Sequence, residues 1–384
     1  MLFKMTCSEL KNCPLSNYLA NMKIFLVSLL SLAFVFFIFS CEKDEPEPAD
    51  EDPGDEKEYD PTPYDLETPR GFPPLPEPTD NPLTEEGIEL GRMLFHDPIL
   101  SKDSTQSCES CHNQDFAFTD SGNRFSEGVD GSIGERTSQP IVNIAWSDRF
   151  FWDGRAETLE EQVRDPIINP IEMKLPSMDV AVDRLERHDD YPDMIFEAFG
   201  DEEVKEEHIL KSIAQFMRII ISSDSPFDRW RRGEGQISEA AQRGFNLFNA
   251  EIGEGGDCFH CHGTALFTDH QFRNNALDSV FDDPGLAGVT GDESDMGLFK
   301  TPTLRNVAVS GPYMHDGRFE TLEEVMEHYN SGGVESPTVD PFMKGTGRGG
   351  LNLTEREKQD IIAFLESLTD TTFLNEEKFS DPFE

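Results

Sequence analysis

Cys108-Glu109-Ser110-Cys111-His112 recurs as Cys258-Phe259-His260-Cys261-His262, and these two short stretches decide how the rest of the chain reads. Each has the Cys-x-x-Cys-His form of a covalent c-type haem attachment site. Two thiols three positions apart on one helical turn can add to the two vinyl groups of one porphyrin, and the adjacent histidine then lies under the iron. Each stretch thus brings its own anchors, Cys108 and Cys111 or Cys258 and Cys261, and its own axial base, His112 or His262. Zinc clusters of four cysteines keep their pairs within about 15 to 20 residues, whereas Cys111 and Cys258 are 258 − 111 = 147 residues apart. A dithiol redox motif has no need of a histidine after its second cysteine, and here one stands there twice. Two covalently bound haem c groups are expected.

With 384 residues, 36% of them hydrophobic, the chain is long enough for two ordinary domains, one for each haem. Its net charge of −44, from 76 acidic and 32 basic residues, argues against nucleic acid and anionic lipid as partners. That charge would attract a cationic protein donor, or it serves solubility alone. Four of the seven cysteines belong to the haem motifs, and the other three, Cys7, Cys13 and Cys41, precede residue 42. No pair remains for a structural disulfide in the body.

Residues 1–41 read as an export segment. Ile24 to Phe39 is an apolar run of 16 residues, short for a membrane span of about 20 and suited to a signal-peptide core. Met22 is the natural start, and Ser40-Cys41 after the run resembles a lipobox with Cys41 as the lipidated residue. The expected location is outside the inner membrane, in the periplasm or at the cell surface, anchored to the outer membrane as a lipoprotein. Cytochrome c maturation takes place on that side as well. Residues 42–66 are rich in Asp, Glu and Pro and are expected to form a disordered tether.

Thr84-Glu85-Glu86, Ser238-Glu239 and Thr354-Glu355 each open a stretch with helical apolar spacing. Glu206 to Ile221 reads as an apolar helix and 222–235 as a polar linker carrying Trp230. A repeat runs through the body. Asn143-Ile144-Ala145-Trp146-Ser147 matches Asn306-Val307-Ala308-Val309-Ser310, and Trp152-Asp153-Gly154-Arg155 matches His315-Asp316-Gly317-Arg318. Both pairs share one offset, since 306 − 143 = 315 − 152 = 163. The expected fold is mainly α, with two cytochrome c-like haem domains related by internal duplication, residues 67–235 and 236–384.

These motifs, with Phe151-Trp152-Asp153-Gly154-Arg155, Tyr313-Met314-His315-Asp316-Gly317-Arg318 and Pro170-Ile171-Glu172-Met173, resemble the bacterial di-haem cytochrome c peroxidase / MauG family over residues 70–370 or so. The resemblance implies a helical fold, a peroxide-reacting haem in the N-terminal domain and an electron-transfer haem in the C-terminal one. Splitting peroxide requires an open iron position and a group that moves a proton from one oxygen to the other. Glu172 stands at the family's acid/base position, against the plain reading of a surface carboxylate. Gln162 matches a second distal residue. Trp152 occupies the place that lies between the haems, although a large core residue would look the same. Its counterpart His315 shows that the repeat does not keep an aromatic ring there for folding alone.

Two departures from the family pattern stand out. Many members cap the N-terminal iron with a histidine where this chain has Val129, which cannot ligate, so that iron is expected to be open at rest unless Asp130 intervenes. The usual distal methionine of the C-terminal haem is replaced by Tyr329, as in MauG; Met314, Met326 and His328 are the alternatives for that axial position. The resemblance also places a calcium ion at Thr137, Ser310 and Pro312, where threonine is a weaker ligand than the usual asparagine. Hydrogen peroxide is the expected substrate and a cytochrome c or cupredoxin the expected donor. A protein or small organic substrate is one alternative, and a two-haem electron carrier without catalysis is the other.

Overall fold

The computed structural model describes residues 58–76, 78–120, 122–343 and 350–383. The export segment with Cys41, and the tether as far as residue 57, lie outside the described residues. From Lys57 onward the chain is one compact unit. Its helices are α1 (Glu85–His96), α2 (Leu159–Ile168), α3 (Met178–Glu186), α4 (Tyr191–Phe199), α5 (Glu206–Arg218), α6 (Pro226–Arg232), α7 (Glu239–Phe248), α8 (Phe259–His262), α9 (Ala287–Thr290), α10 (Leu322–Ser331), α11 (Glu355–Glu366) and α12 (Thr371–Leu374). One two-stranded antiparallel ribbon joins β1 (Phe272–Arg273) to β2 (Phe299–Lys300), with Phe272 opposite Lys300. The fold is mainly helical, and among the described residues no helix is long and apolar enough to cross a membrane.

The helix starts read from the sequence appear with their caps. Thr84, Ser238 and Thr354 each accept a backbone N–H from the first turn of α1, α7 and α11, satisfying a donor that the helix cannot. The apolar faces then pack into two clusters. Phe95, Phe118, Leu94 and Ile213 belong to the first, built on α1 to α5, and Phe248, Phe267, Phe364 and Ile361 to the second, built on α7, α10 and α11. In each cluster a glycine lets two helices touch through their backbones. A Cβ on Gly91 of α1 would lie 1.9 Å from Ser212 O of α5, and one on Gly244 of α7 would lie 1.8 Å from Asp360 O of α11.

The local geometry of the repeat recurs as well. Asn143 and Asn306 both hold left-handed backbone, at φ 56° and 60°. Their side chains meet at one buried hub: Asn143 Nδ2 donates to Ser222 O and Asn306 Nδ2 to Ser222 Oγ. The bridge Phe150–Ala156 recurs as Tyr313–Phe319. Thr158 and Thr321 then cap α2 and α10 in the same way.

Four expectations are corrected. The tether is shorter than predicted, because Tyr64 and Leu66 pack on the first cluster and Tyr64 N–H donates 3.0 Å to Leu83 O. The polar linker contains helix α6, started by Ser225 and Asp228 in a reciprocal cap, and buried Arg305 grips Asp228 with two bonds of 2.8 and 3.0 Å. The C-terminal end does not stay with the second half: Phe373 and Phe379 sit in the first cluster, against Phe118. There Gln114 Nε2 donates to Phe373 O and Glu376 O, so the last described segment straps across the first half. The apolar helix begun at Glu206 also stops at Arg218, short of Ile221.

Candidate active site

Each Cys-x-x-Cys-His stretch folds as one helical turn, with His112 N–H on Cys108 O and His262 N–H on Cys258 O, both at 3.0 Å. The chain then curls back so that Phe118 O accepts from His112 Nδ1 and Phe267 O from His262 Nδ1, each at 2.8 Å. This bond fixes the tautomer and leaves Nε2 with a free lone pair, as an iron ligand requires. Ser138 Oγ steadies the first turn by donating 2.9 Å to Cys111 O. All four thiols are free of disulfides. Burial is the main cause that pushes Cys108 and Cys258 up to about 12 and Cys111 and Cys261 up to about 11.

A cavity of about 1060 Å³ opens over the first turn and one of about 240 Å³ over the second. Cys108, Cys111, His112, Gln162 and Glu172 all line the first. Gln162 Oε1 is buried there without a hydrogen-bond partner. An orphaned buried acceptor is costly, and with the two thiols and the tethered imidazole it fits a cavity shaped for a porphyrin and a polar species above it.

Glu172 is carried on a turn just after α2. Pro166 lies inside that helix, which ends two residues later, and the chain folds back with Glu172 N–H on Asn169 O and Met173 N–H on Pro166 O. Gly128 braces the turn from outside, where a Cβ would lie 2.1 Å from Ile171 O. The carboxyl accepts 2.7 Å from Asn169 Nδ2 and is pushed up to about 7, first by burial and then by Asp165, with Arg155 opposing. Asn169, Asp165, Arg155 and Pro166 were not singled out from the sequence. The proline inside a helical stretch was the available signal for a turn at this point.

Val129 and Asp130 do not line the first cavity. Val129 N–H is spent on Glu172 O, and the Asp130 carboxylate is exposed and bound by Lys174 and Ser132. Tyr329, Met314 and Met326 line the second cavity together with Cys258, Cys261 and His262. Tyr329 is pushed up to about 12, chiefly by burial, with a bond to Asn275 acting the other way. Met314 Sδ accepts from Asn275 Nδ2, and Met326 sits in the second core. His328 does not line the cavity, since its Nε2 donates 2.9 Å to Asn275 O.

Trp152 and His315 line both cavities, so the two share a wall. The indole is 8% exposed and donates 2.9 Å to Thr137 O, while the His315 ring stacks on Phe299 at 3.6 Å. Thr137, Ser310 and Pro312 come together around the second cavity. The Thr137 hydroxyl donates 2.8 Å to Met314 O, leaving its lone pairs free for a cation.

A mainly helical protein with two such cavities is, by fold and site, a di-haem c-type oxidoreductase. Sequence and structural relatives narrow this class. The model of the di-haem cytochrome c peroxidase family matches residues 85–236. The chain is 40% identical over 303 residues to the methylamine utilization protein MauG of Methylorubrum extorquens, covering 77% of this chain and 81% of that protein. It is 32% identical over 308 residues to the cytochrome c551 peroxidase of Nitrosomonas europaea, covering 75% and 81%. The crystal structure of a MauG-like protein associated with microbial copper homeostasis superposes with a TM-score of 0.77 at 34% identity, over 84% of this chain and all of that one. The chain belongs to the di-haem cytochrome c peroxidase / MauG family, and it is a peroxidase-type oxidoreductase whose family carries two haem c groups.

Proposed function

We propose that this protein reduces hydrogen peroxide to two waters, using two electrons and two protons, in the cavity over His112, with electrons arriving through the haem held by Cys258, Cys261 and His262. The observation that carries the reading is Glu172, a half-buried carboxyl pushed up to about 7 in the cavity of the first haem motif. Haem bound on Cys108 and Cys111 would supply the iron at which the O–O bond is cleaved.

The chain's own residues do the rest. Glu172 takes the proton of one peroxide oxygen and returns it to the other, a task suited to a carboxyl that titrates near the working pH. Asn169 Nδ2 keeps it aimed while it does so. The Gln162 side chain, whose Oε1 is unpartnered within the protein, would accept a hydrogen bond from peroxide. Trp152 in the shared wall carries electrons between the sites. Val129 and Asp130, both outside the cavity, would supply no ligand to an iron held on His112.

In this reading residues 67–235 form the peroxidatic domain and 236–384 the electron-transfer domain, apart from the strap of Phe373 and Phe379. A cytochrome c or cupredoxin delivers the electrons, calcium binds at Thr137, Ser310 and Pro312, and Cys41 anchors the exported protein to the outer membrane. Adding peroxide to the two-haem protein is expected to abolish a high-spin ferric resonance. Two fully capped irons that ignore peroxide in every redox state would leave an electron carrier in its place.

A second reading keeps the first cavity and aims its oxidising power at a protein or small organic substrate. Tyr329 on the second cavity favours it, because an anionic oxygen ligand favours ferric iron and lowers the potential. Tyr329→Phe is expected to change the low-spin spectrum while Met314→Leu and Met326→Leu leave it alone. Comparing peroxide turnover on a reduced cytochrome c with turnover on an organic donor separates the two readings.

A further inference from the structure

Lys300, in β2, is 7% exposed, yet among the described residues no carboxylate lies within ion-pairing distance of it. Its Nζ donates 2.9 Å to Arg149 O, which leaves two of its three donors unspent in a side chain that lines both cavities. Burial pushes it down to about 8, with Asp148 acting in the other direction.

His270 lines the first cavity and not the second. Its Nδ1 meets Ser147 Oγ at 3.4 Å, and its Nε2 is buried without a partner. When Nδ1 accepts from the serine hydroxyl, Nε2 carries the proton and becomes a third unspent donor. The backbone here is left-handed at φ 57°, a region that histidine, asparagine and aspartate enter more readily than other side-chain-bearing residues.

A buried ammonium without a counter-charge tends to lose its proton, and a buried carboxylate without a donor tends to gain one. Each problem solves the other, and a porphyrin carries carboxylate arms. We propose that Lys300 and His270 together clasp one carboxylate arm of the porphyrin held on Cys108 and Cys111, the lysine by charge and the imidazole by an N–H bond. This rests on the reading that the first cavity holds haem. A neutral ligand such as peroxide satisfies the donors without compensating the charge, which is why a carboxylate is assigned. Lys300 N–H also donates 2.8 Å to Trp152 O, so the clasp and the shared wall are one rigid piece. Lys300 is a positioning residue in this arrangement: its charge favours addition of an electron to the first haem.

The test is a spectroelectrochemical titration of both haems, without peroxide, in the two-haem protein and its Lys300→Gln, Lys300→Arg and His270→Asn variants, with haem content verified by mass. Asparagine tolerates the left-handed backbone, so the histidine variant is expected to fold. Lys300→Gln is expected to disfavour reduction of the first haem about tenfold, or about 59 mV for one electron. His270→Asn shifts it less in the same direction, and Lys300→Arg restores it. An unchanged first-haem potential in both Lys300→Gln and His270→Asn, or a shift confined to the second haem, overturns the clasp. A protein with no haem on Cys108 and Cys111 overturns the clasp together with the proposed function, whereas loss of peroxide turnover with intact potential shifts overturns only the latter.

Discussion

Gln162 and Pro166 on α2 line the first cavity, while Val325 and Tyr329 hold the equivalent places on α10 and line the second, since 325 − 162 = 329 − 166 = 163. The frame around them is the same: a threonine cap, a bridge before it, and a left-handed asparagine before that. Two side chains on one helix face therefore separate a polar, proton-handling pocket from a smaller one that holds a phenol. Both helices run for ten residues and end at equivalent places, since 331 − 168 = 163; α2 ends at Asn169 in extended backbone, and the turn that follows delivers Glu172. At the same place α10 is ended by Gly332 in the left-handed region.

Breaking the contrast at its strongest point gives the largest effect. Glu172→Gln keeps shape but cannot exchange a proton, and kcat/KM for peroxide is expected to fall by about 10²- to 10⁴-fold with both haems attached. In the unaltered protein the rate should rise with pH through about 7, because the carboxylate form that accepts the first proton dominates above that value. This limb should vanish in the variant; a variant that keeps both rate and limb would exclude Glu172 as the proton carrier.

The two halves should respond alike where they differ least. Gly91→Ala and Gly244→Ala each force a methyl against a backbone carbonyl and are expected to cost about 1–3 kcal/mol of stability, read from denaturant midpoints. Very unequal costs would show that the two helix crossings are not equivalent in packing.

Making one site resemble the other sharpens the contrast further. Gln162→Val installs the residue of the second half, and losing one hydrogen bond of about 1 kcal/mol should slow peroxide turnover about fivefold in steady-state assays. The smallest stability change is expected from Trp152→Phe, which retains a ring in the wall and loses the bond to Thr137 O, at a cost of about 1 kcal/mol. Its diagnostic readout is slower electron equilibration between the haems in stopped-flow spectra; an unchanged rate would assign the indole to packing alone.

The sequence made legible whatever depends on near neighbours. Haem attachment follows from five consecutive residues, and the caps at Thr84, Ser238 and Thr354 act within one helical turn. The repeat offset even contained the Gln162/Val325 and Pro166/Tyr329 exchanges, which only the shared cavity walls brought into view. Two other features rest on partners distant in sequence. Helix α6 is held by Asp228 on Arg305, 77 positions away, and the strap by Gln114 on Phe373 O and Glu376 O, more than 250 positions away. No local period announces a backbone carbonyl as a partner. Lys300 and His270 were likewise indistinguishable from ordinary polar residues until their surroundings were known.

The amino-acid order alone determined two haem-attachment motifs on a twice-used set of helix caps, because thiol spacing and helix capping are short-range chemistry. Tertiary structure decided what those sites can do: the pKa of Glu172, the orphaned Gln162 Oε1, the shared wall at Trp152 and the unpaired Lys300. Burial and electrostatics are sums over everything nearby in space, and nearness in space is set by the packing of the two clusters.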